Sequence, residues 1–497
     1  MIDDSAGSHL AETESCDLCI VGAGLAGMNA LAVASEYLGR GQRVILVDRR
    51  LRAGGMWVDA YPYVRLHQPH PWFTAGDIPW TQGHDRRHLA TRSEVLDHFA
   101  HCLDVVRRRV TVDTLFGWEF DGFTESDGMA TLRVSAADGR TRTITTPRLI
   151  NAAGFAVTPN DPLPVQSHQV RSVSPNFCDV DEIASDGAPV WVIGGGKTGM
   201  DTAHALIIAD PHREVSMVAG SGTYFLSRDE TFPRGRRRWW SGTPASVSGA
   251  QMLSHFDGTN EDEANRWFRD TYGVWPTEGA DTYVLGIMSD EESHAIAAGL
   301  REVVMDRFTD VVDGPDGPAM TFASGRSRAV APGSWIINCT GYVLRDAGPY
   351  QPYLSPGGSV LSIQPRSATM HLTSFMAYFM THMLYRDRLA DAPLYEMDAI
   401  DLRAKSKVIL PFGILCLSQH NLSVMFERLP NSVFLRCGSN VDSWYPLTRQ
   451  LRGSLTFLLR HRRDRDSARR TLDTLRERFD LRCGPLGASP RPASDLL

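Results

Sequence analysis

Two glycine-rich turns of one design, each set between an apolar run and a helix-forming run, restrict what this chain can fold into. The first is Gly22-Ala23-Gly24-Leu25-Ala26-Gly27 and the second is Gly194-Gly195-Gly196-Lys197-Thr198-Gly199. In such a turn the first glycine permits the bend, the second lets a pyrophosphate approach the backbone, and the third lets helix close on strand. The free amides of the helix N-terminus then meet the phosphates. Residues 17–21 read as a buried strand, 28–38 as a helix and 43–48 as the next strand, which makes a βαβ unit. The same order recurs with 190–193, 198–209 and 214–218.

The two units differ at the end of the second strand. In the first, Asp48 ends the strand and is placed to accept a ribose hydroxyl, with Arg49 beside it in the same cofactor-binding set. In the second, the strand runs into VAGSG, residues 218–222, with no acid. The missing carboxylate leans toward NADPH, whose 2′-phosphate an acid would repel. Lys197, Ser221 or Arg228 could hold that phosphate; the alternative for Lys197 is an exposed helix position.

Composition excludes several classes. The net charge is −7 and 42% of residues are hydrophobic, so nothing in the bulk charge asks for nucleic acid or an anionic membrane. All but three of the 51 basic residues are arginine. The first fifteen residues are polar and acidic, without the basic start and apolar run of a signal peptide, so a cytoplasmic protein is expected. The longest apolar run, 408–417, is about half of what a membrane-spanning helix needs and contains a proline, so no spanning segment is expected. Eight scattered cysteines suit reduced thiols. Cys16 and Cys19 form a CxxC in a predicted strand, where alternation sends their side chains to opposite faces and leaves no redox pair.

Between the glycine turns, residues 109–113 and 130–135 read as antiparallel strands, the second entered from a turn at Asp127 and Gly128. They lead into RLINAAGF, 148–155, which SWIINCTGY, 334–342, echoes. The expected fold class is α/β, with two Rossmann-like dinucleotide-binding domains, the NADPH domain inserted in a discontinuous FAD domain. Residues 1–160 form the first part of the FAD domain and 161–330 the insert. Residues 331–470 form the second part, with helical substrate-pocket segments, and 471–497 a helix end and flexible tail.

The first glycine turn, GGMW at 54–57, YPYVRLHQP at 61–69, IGGGKTG at 193–199 and CTGY at 339–342 stand in an order that resembles the single-component flavin-dependent monooxygenases. That family includes microsomal-type and auxin-forming enzymes, N-hydroxylases and Baeyer-Villiger enzymes, and the resemblance covers about residues 15–450. It implies FAD in the interrupted domain, NADPH in the insert and a crevice shared by both. Gly22, Gly24, Gly27 and Asp48 would hold the adenosine half of FAD, and Gly55 and Trp57 would lie near the isoalloxazine. Gly194, Gly196, Lys197, Thr198, Gly199 and, from CTGY, Gly341 complete the cofactor set. The implied chemistry is hydride transfer to FAD, O₂ addition at flavin C4a to give a hydroperoxyflavin, and oxygen transfer to nitrogen, sulfur or a carbonyl. The cofactor carries that chemistry, and the protein supplies orientation and a dry pocket.

The chain also departs from the family. A fingerprint of the form F-x-G-x-x-x-H is replaced by LPVQSHQVRSVSP, 163–175: Ser172 takes the histidine's place and His168 reads as a loop residue. His67 stands where Baeyer-Villiger enzymes carry an aspartate, which favours electron-rich heteroatoms over ketones. It is the catalytic candidate, a hydrogen-bond partner near flavin N5 or the peroxide, with a packing histidine as the alternative. Residues 227–240, rich in arginine and tryptophan, read as a solvated loop or a lid over a carboxylate-bearing substrate. Residues 370–384 read as core or as a wall of the flavin pocket. Residues 438–450 resemble the segment under the flavin pyrimidine ring, where a helix start can stabilise negative charge.

The expected activity is NADPH- and O₂-dependent oxygenation of a small nitrogen-containing molecule, an amino acid or amine, in secondary metabolism. Baeyer-Villiger or sulfur oxygenation is the alternative. An electron-transfer reductase is a further one, although no cysteine pair lies between Asp48 and Cys102; a non-enzymatic flavoprotein scaffold is the last. No metal site is expected, and a homodimer is possible.

Overall fold

The computed structural model describes residues 12–83, 85–154, 157–177, 180–341 and 348–487. Phe155, Tyr342 and residues 488–497 of the expected tail lie outside the described residues. Two five-stranded parallel sheets organise the chain. The first is ordered Val360–Ser362, Leu149–Asn151, Leu18–Val21, Arg43–Asp48, Thr111–Phe116. The second is ordered Leu300–Val304, Val215–Val218, Val190–Ile193, Trp335–Asn338, Arg171–Val173.

Both sheets are buried on both faces, which is why their central strands read as unbroken apolar runs. Alternation then divides each strand between two cores. Leu18, Ile20, Val44 and Leu46 face a helical layer, whereas Cys19, Val21, Ile45 and Val47 face Trp118, Leu132, Val134 and Ile144 of an antiparallel sheet. The second sheet repeats the scheme. Val190, Val192 and Met217 pack on Met200, Ala203 and Leu206, while Trp191, Ile193 and Ile336 pack on Val311, Met320 and Phe322.

Helix Leu25–Ala34 begins at the first glycine turn, three residues earlier than the apolar pattern suggests, and is buried nearly all round. It lies between the sheet and helix Thr373–Tyr385, whose Met and aromatic side chains are core. Helix Arg92–Arg107 closes the same layer and starts from a capping box, in which Thr91 and Glu94 satisfy each other's backbone amides.

Several expectations need correction. Residues 111–116 pair in parallel with Arg43–Asp48, and Met129–Ala136 lies antiparallel between Trp118–Ser126 and Thr141–Thr146. The turn between those two strands does fall at Asp127 and Gly128, both at positive φ. The chain bends at Asp17 before Leu18–Val21, which breaks the alternation; Cys16 and Cys19 therefore share one core. Strand Trp335–Asn338 pairs with Val190–Ile193, so the second unit continues past residue 330.

The region 223–288 is not a plain part of that unit. It forms a small sheet of Thr223–Ser227, Gly273–Val274 and Thr282–Met288. Its Tyr224, Phe256, Phe268 and Tyr283 share a core with Leu402, Phe412, Leu472 and Leu475 of the C-terminal helices. Helix Leu447–Phe479 runs through residue 470 without a break, and Cys483–Pro485 pairs with Tyr395–Met397, so the last segment is built into the fold up to that strand. Run 408–417 belongs to helix Ile409–Arg428, which is long and apolar enough to cross a membrane, with 78% of its apolar window buried inside the protein. Pro411 sits in its first turn, where the lost amide hydrogen bond is not needed.

The glycine turns fix the approach of helix to strand. A Cβ on Gly27 would overlap the Gly22 carbonyl, and one on Gly199 would overlap that of Gly194. Gly27→Ala is expected to cost about 2 kcal/mol or more of stability, by overpacking against backbone. A denaturant melt checks it, with Gly41→Ala, a site with open space around the Cβ position, as the unchanged control.

Candidate functional site

At the first turn Gly22 has φ 96°, and Gly24 is the N-cap of the helix behind it, with no side chain capping it and no acid in the first turn. The amides of that first turn are therefore available to an anion. The GGMW segment is fastened over this turn. The Gly54 amide donates to the Ala23 carbonyl at 2.9 Å, and a Cβ on Gly55, at φ 54°, would stand 2.7 Å from Gly24 Cα. Trp57 is half-buried and meets Phe73 edge-on at 5.5 Å; its carbonyl accepts from Arg92 Nε at 3.0 Å.

Asp48 is buried at the strand end, as the βαβ pattern requires, and both its oxygens are engaged. Oδ2 accepts the Ala23 amide at 2.6 Å and Oδ1 the Arg50 amide at 2.8 Å. The carboxylate thus braces the glycine turn. Arg49 is exposed, while Arg50 pairs with Asp59 at 2.6 Å; both arginines reach the Val157 carbonyl.

The second turn is built alike. Gly194 has φ 125°, and a Cβ there would stand 2.5 Å from the Cys339 carbonyl. Gly196 is an uncapped N-cap of Lys197–Ala209, and the space around its Cβ position is open. Thr198 accepts from Thr202 Oγ1 through its carbonyl at 2.8 Å. Asn160 donates to the Thr340 carbonyl at 2.6 Å and so anchors the segment that ends at exposed Gly341.

The structure overturns the exposed reading of Lys197. Its side chain is 14% exposed, and its ammonium is bonded to Asp201 and, at 2.8 Å, to Glu292. The other Glu292 oxygen faces Arg228 at 3.2 Å, and Arg228 Nε donates to the His67 carbonyl at 2.7 Å. Tyr61 donates to Asp201 at 2.7 Å, and the Tyr63 hydroxyl meets that of Thr202 at 2.7 Å. Residues 61–67 of the first unit therefore lie across the helix that opens at the second glycine turn. Burial opposes ionisation of Glu292, but Lys197 and then Arg228 outweigh it and hold the carboxyl at about 2. Burial also opposes the Lys197 charge, and Asp201 and Glu292 carry its net shift upward. Burial, with the Lys197 charge as the next cause, lowers His67 to about 4, so its imidazole is neutral.

Of the residues expected from sequence, Lys197, Arg228 and His67 come together in this cluster. Ser221 does not join it; its hydroxyl is exposed and 3.3 Å from Thr282 Oγ1. Sequence reading missed Asp201, Glu292, Tyr61 and Tyr63. Asp201 was within reach, since i,i+4 spacing sets it beside Lys197. Glu292 was not, because only the packing of helix Asp290–Gly299 against helix Lys197–Ala209 brings it there. His168 is exposed in a loop, and Ser172 donates to the Leu163 carbonyl. In the 227–240 segment Phe232 is buried, while Trp239 and Trp240 are exposed. Trp444 and Tyr445 from 438–450 pack on that segment, donating to the Pro233 and Glu230 carbonyls.

Residues 16–230, which contain both glycine turns, match the family described as pyridine nucleotide-disulphide oxidoreductase. An uncharacterized protein of Mycobacterium tuberculosis (strain ATCC 25618 / H37Rv) is 31% identical over 217 residues, 40% of this chain and 37% of that protein. An uncharacterized protein of Mycobacterium bovis matches to the same extent, so the match spans just over a third of the length of these curated relatives. Among solved structures the chain is similar to a flavin-containing monooxygenase from Stenotrophomonas maltophilia, at 17% identity and TM-score 0.46, over 75% of this chain and 99% of that one. It is also similar to an ornithine N-hydroxylase of Kutzneria sp. 744, at 16% identity and TM-score 0.47, over 78% and 100%. A third is the S-allyl-L-cysteine S-oxygenase from Allium sativum, at 16% identity and TM-score 0.45, over 94% and 98%.

The charge cluster predicts two outcomes. Glu292→Gln leaves Lys197 and Arg228 without their shared carboxylate, and a loss of about 3 kcal/mol is expected in a denaturant melt. For His67, the unfolded chain takes up its proton near pH 6.5 and the folded chain only near 4. Stability therefore falls as pH drops through that window, along with contributions from His98, His371 and His382, which burial also lowers. His67→Asn should flatten that limb by up to about 1.4 kcal/mol per pH unit, measured as melts across pH 4 to 6.5.

Proposed function

We propose that this chain is an FAD- and NADPH-dependent flavin monooxygenase that N-hydroxylates a small amine or amino acid. One observation carries the reading: two uncapped glycine cradles in one chain, bridged where residues 61–67 cross from the first onto the helix of the second. In this reading the second unit runs from about residue 160 to 341, inserted in a discontinuous FAD domain. Support comes from Val360–Ser362, which rejoins the first sheet after the second sheet has taken its last strand.

The first-turn amides after Gly24 and after Gly196 fit the pyrophosphates of FAD and NADPH, each with no acid in that first turn to repel them. Bound FAD supplies hydride acceptance and O₂ chemistry, and NADPH the hydride. Gly55 and Trp57 sit over the first cradle and orient its contents. The Asp201–Lys197–Glu292–Arg228 cluster holds residues 61–67, and with them His67, at a fixed place beside the second cradle. A neutral His67 offers one ring N–H and one free ring nitrogen, so it can hold or accept a proton without carrying charge into the crevice. That state suits a nitrogen or sulfur acceptor better than a ketone. Lys197 and Arg228 are both committed to Glu292, which leaves exposed Ser221 as the group that would meet a 2′-phosphate.

The test is isotopic. Protein reduced by NADPH and exposed to ¹⁸O₂ with a panel of amines and amino acids should yield a product heavier by one ¹⁸O atom. Label appearing only in ketone or sulfide products would overturn the N-hydroxylation reading, and peroxide as the sole product with every class would overturn the monooxygenase reading. His67→Ala should retain FAD yet release severalfold more H₂O₂ per NADPH consumed, because a positioned acid–base group is lost. Unchanged coupling would make His67 a packing residue.

A further inference from the structure

Helix Leu447–Phe479 carries an apolar stripe that the rest of the fold does not use. Gly453, His461, Ala468, Leu472 and Leu475 turn its inner side into the protein. At 100° per residue, Leu447, Leu451, Leu455, Leu458 and Leu459 fall together on an outer side, and they are 66, 59, 57, 51 and 78% exposed. Single exposed leucines are ordinary on a protein surface, but a contiguous row of five over three turns is not.

The charge around the stripe says what covers it. Residues 447–463 contain five arginines and no aspartate or glutamate, within a chain of net charge −7. Arg449 turns inward onto the Arg238, Ser241 and Gly242 carbonyls, Arg462 is taken by Glu427, and Arg460 lies 3.9 Å from Asp464 just beyond the segment. Arg452 and Arg463 stand exposed beside the leucines, and neither makes an ion pair among the described residues. A second copy of the chain packed on this stripe about a two-fold axis would bring arginine against arginine, with no acid in the segment to relieve it. A lipid surface with anionic headgroups answers both features, since leucines enter the headgroup–acyl boundary while guanidinium groups meet phosphates.

We propose that the outer side of this helix, from Leu447 to Arg463, docks on an anionic phospholipid bilayer. The contact is peripheral: the inner side stays packed on the protein. The bulk negative charge hides this local segregation, which is why composition gave no hint of it. Such docking is independent of the flavin chemistry.

Full-length protein is sedimented with vesicles of phosphatidylcholine alone and of phosphatidylcholine mixed with phosphatidylglycerol. Binding to the mixed vesicles is expected to be at least roughly tenfold tighter and to weaken as salt is raised. The double variant Arg452→Glu, Arg463→Glu should lose roughly tenfold or more of that binding, at about 1 kcal/mol per cation removed from the surface. Leu451→Ser with Leu455→Ser should lose a similar factor. All four side chains are exposed, so the circular dichroism spectrum and melting temperature should stay as in the parent. No binding to phosphatidylglycerol vesicles, or equal binding by both variants, would overturn the proposal. So would a dimer in light scattering that the leucine variant converts to monomer, which would assign the stripe to a second copy.

Discussion

Four charges set below the surface, Asp201, Lys197, Glu292 and Arg228, hold the two nucleotide-binding units in one arrangement. Charges taken out of water are stable only when each meets an opposite partner in good geometry. Here Lys197 comes from the second glycine turn, Glu292 from a neighbouring helix and Arg228 from the strand-to-helix junction of the small sheet. Arg228 also holds the His67 carbonyl, and Asp201 takes the Tyr61 hydroxyl. No member can move without uncovering another, so the segment from the first unit is locked against the second cradle. The neutral state of His67 is a by-product of the same burial and the same lysine.

Around this cluster, each unit is built on one repeated solution. A strand buried on both faces sends odd and even residues to different cores, a helical one and an antiparallel one. The glycine turn at its end lets the helix sit closer to the strand than any side chain would allow. The C-terminal helices then tie the 223–288 region to the rest through the Phe256, Phe268 and Phe412 rings.

The parts of this arrangement that depend on local pattern were legible in the sequence. The glycine turns, the strands Arg43–Asp48 and Val190–Ile193 and the turn at Asp127 all stand where periodicity and turn chemistry put them. Long-range partners were not legible. Residues 109–113 look like half of a hairpin because nothing local says that the strand there, Thr111–Phe116, joins the first parallel sheet. Trp335–Asn338 echoes the first unit's sequence and yet pairs in the second. Lys197 reads as a phosphate ligand or an exposed helix residue until Glu292, far along the chain, is brought to it by tertiary packing. Alternation would separate Cys16 from Cys19, and a bend at Asp17 removes it.

The central claim is that hydride passes from a nucleotide held at the second cradle to a flavin held at the first. Gly196 gives the most direct access to it, because it is the N-cap of the second helix and a Cβ there meets no neighbouring group within 4 Å. Anaerobic stopped-flow bleaching of the bound flavin by NADPH deuterated at the nicotinamide C4 measures the step. Parent protein should bleach with a rate slowed by deuterium, and Gly196→Val should keep its flavin but bleach at least roughly tenfold more slowly at equal NADPH. Equal bleaching by Gly196→Val, or a parent protein that holds no flavin, would contradict it.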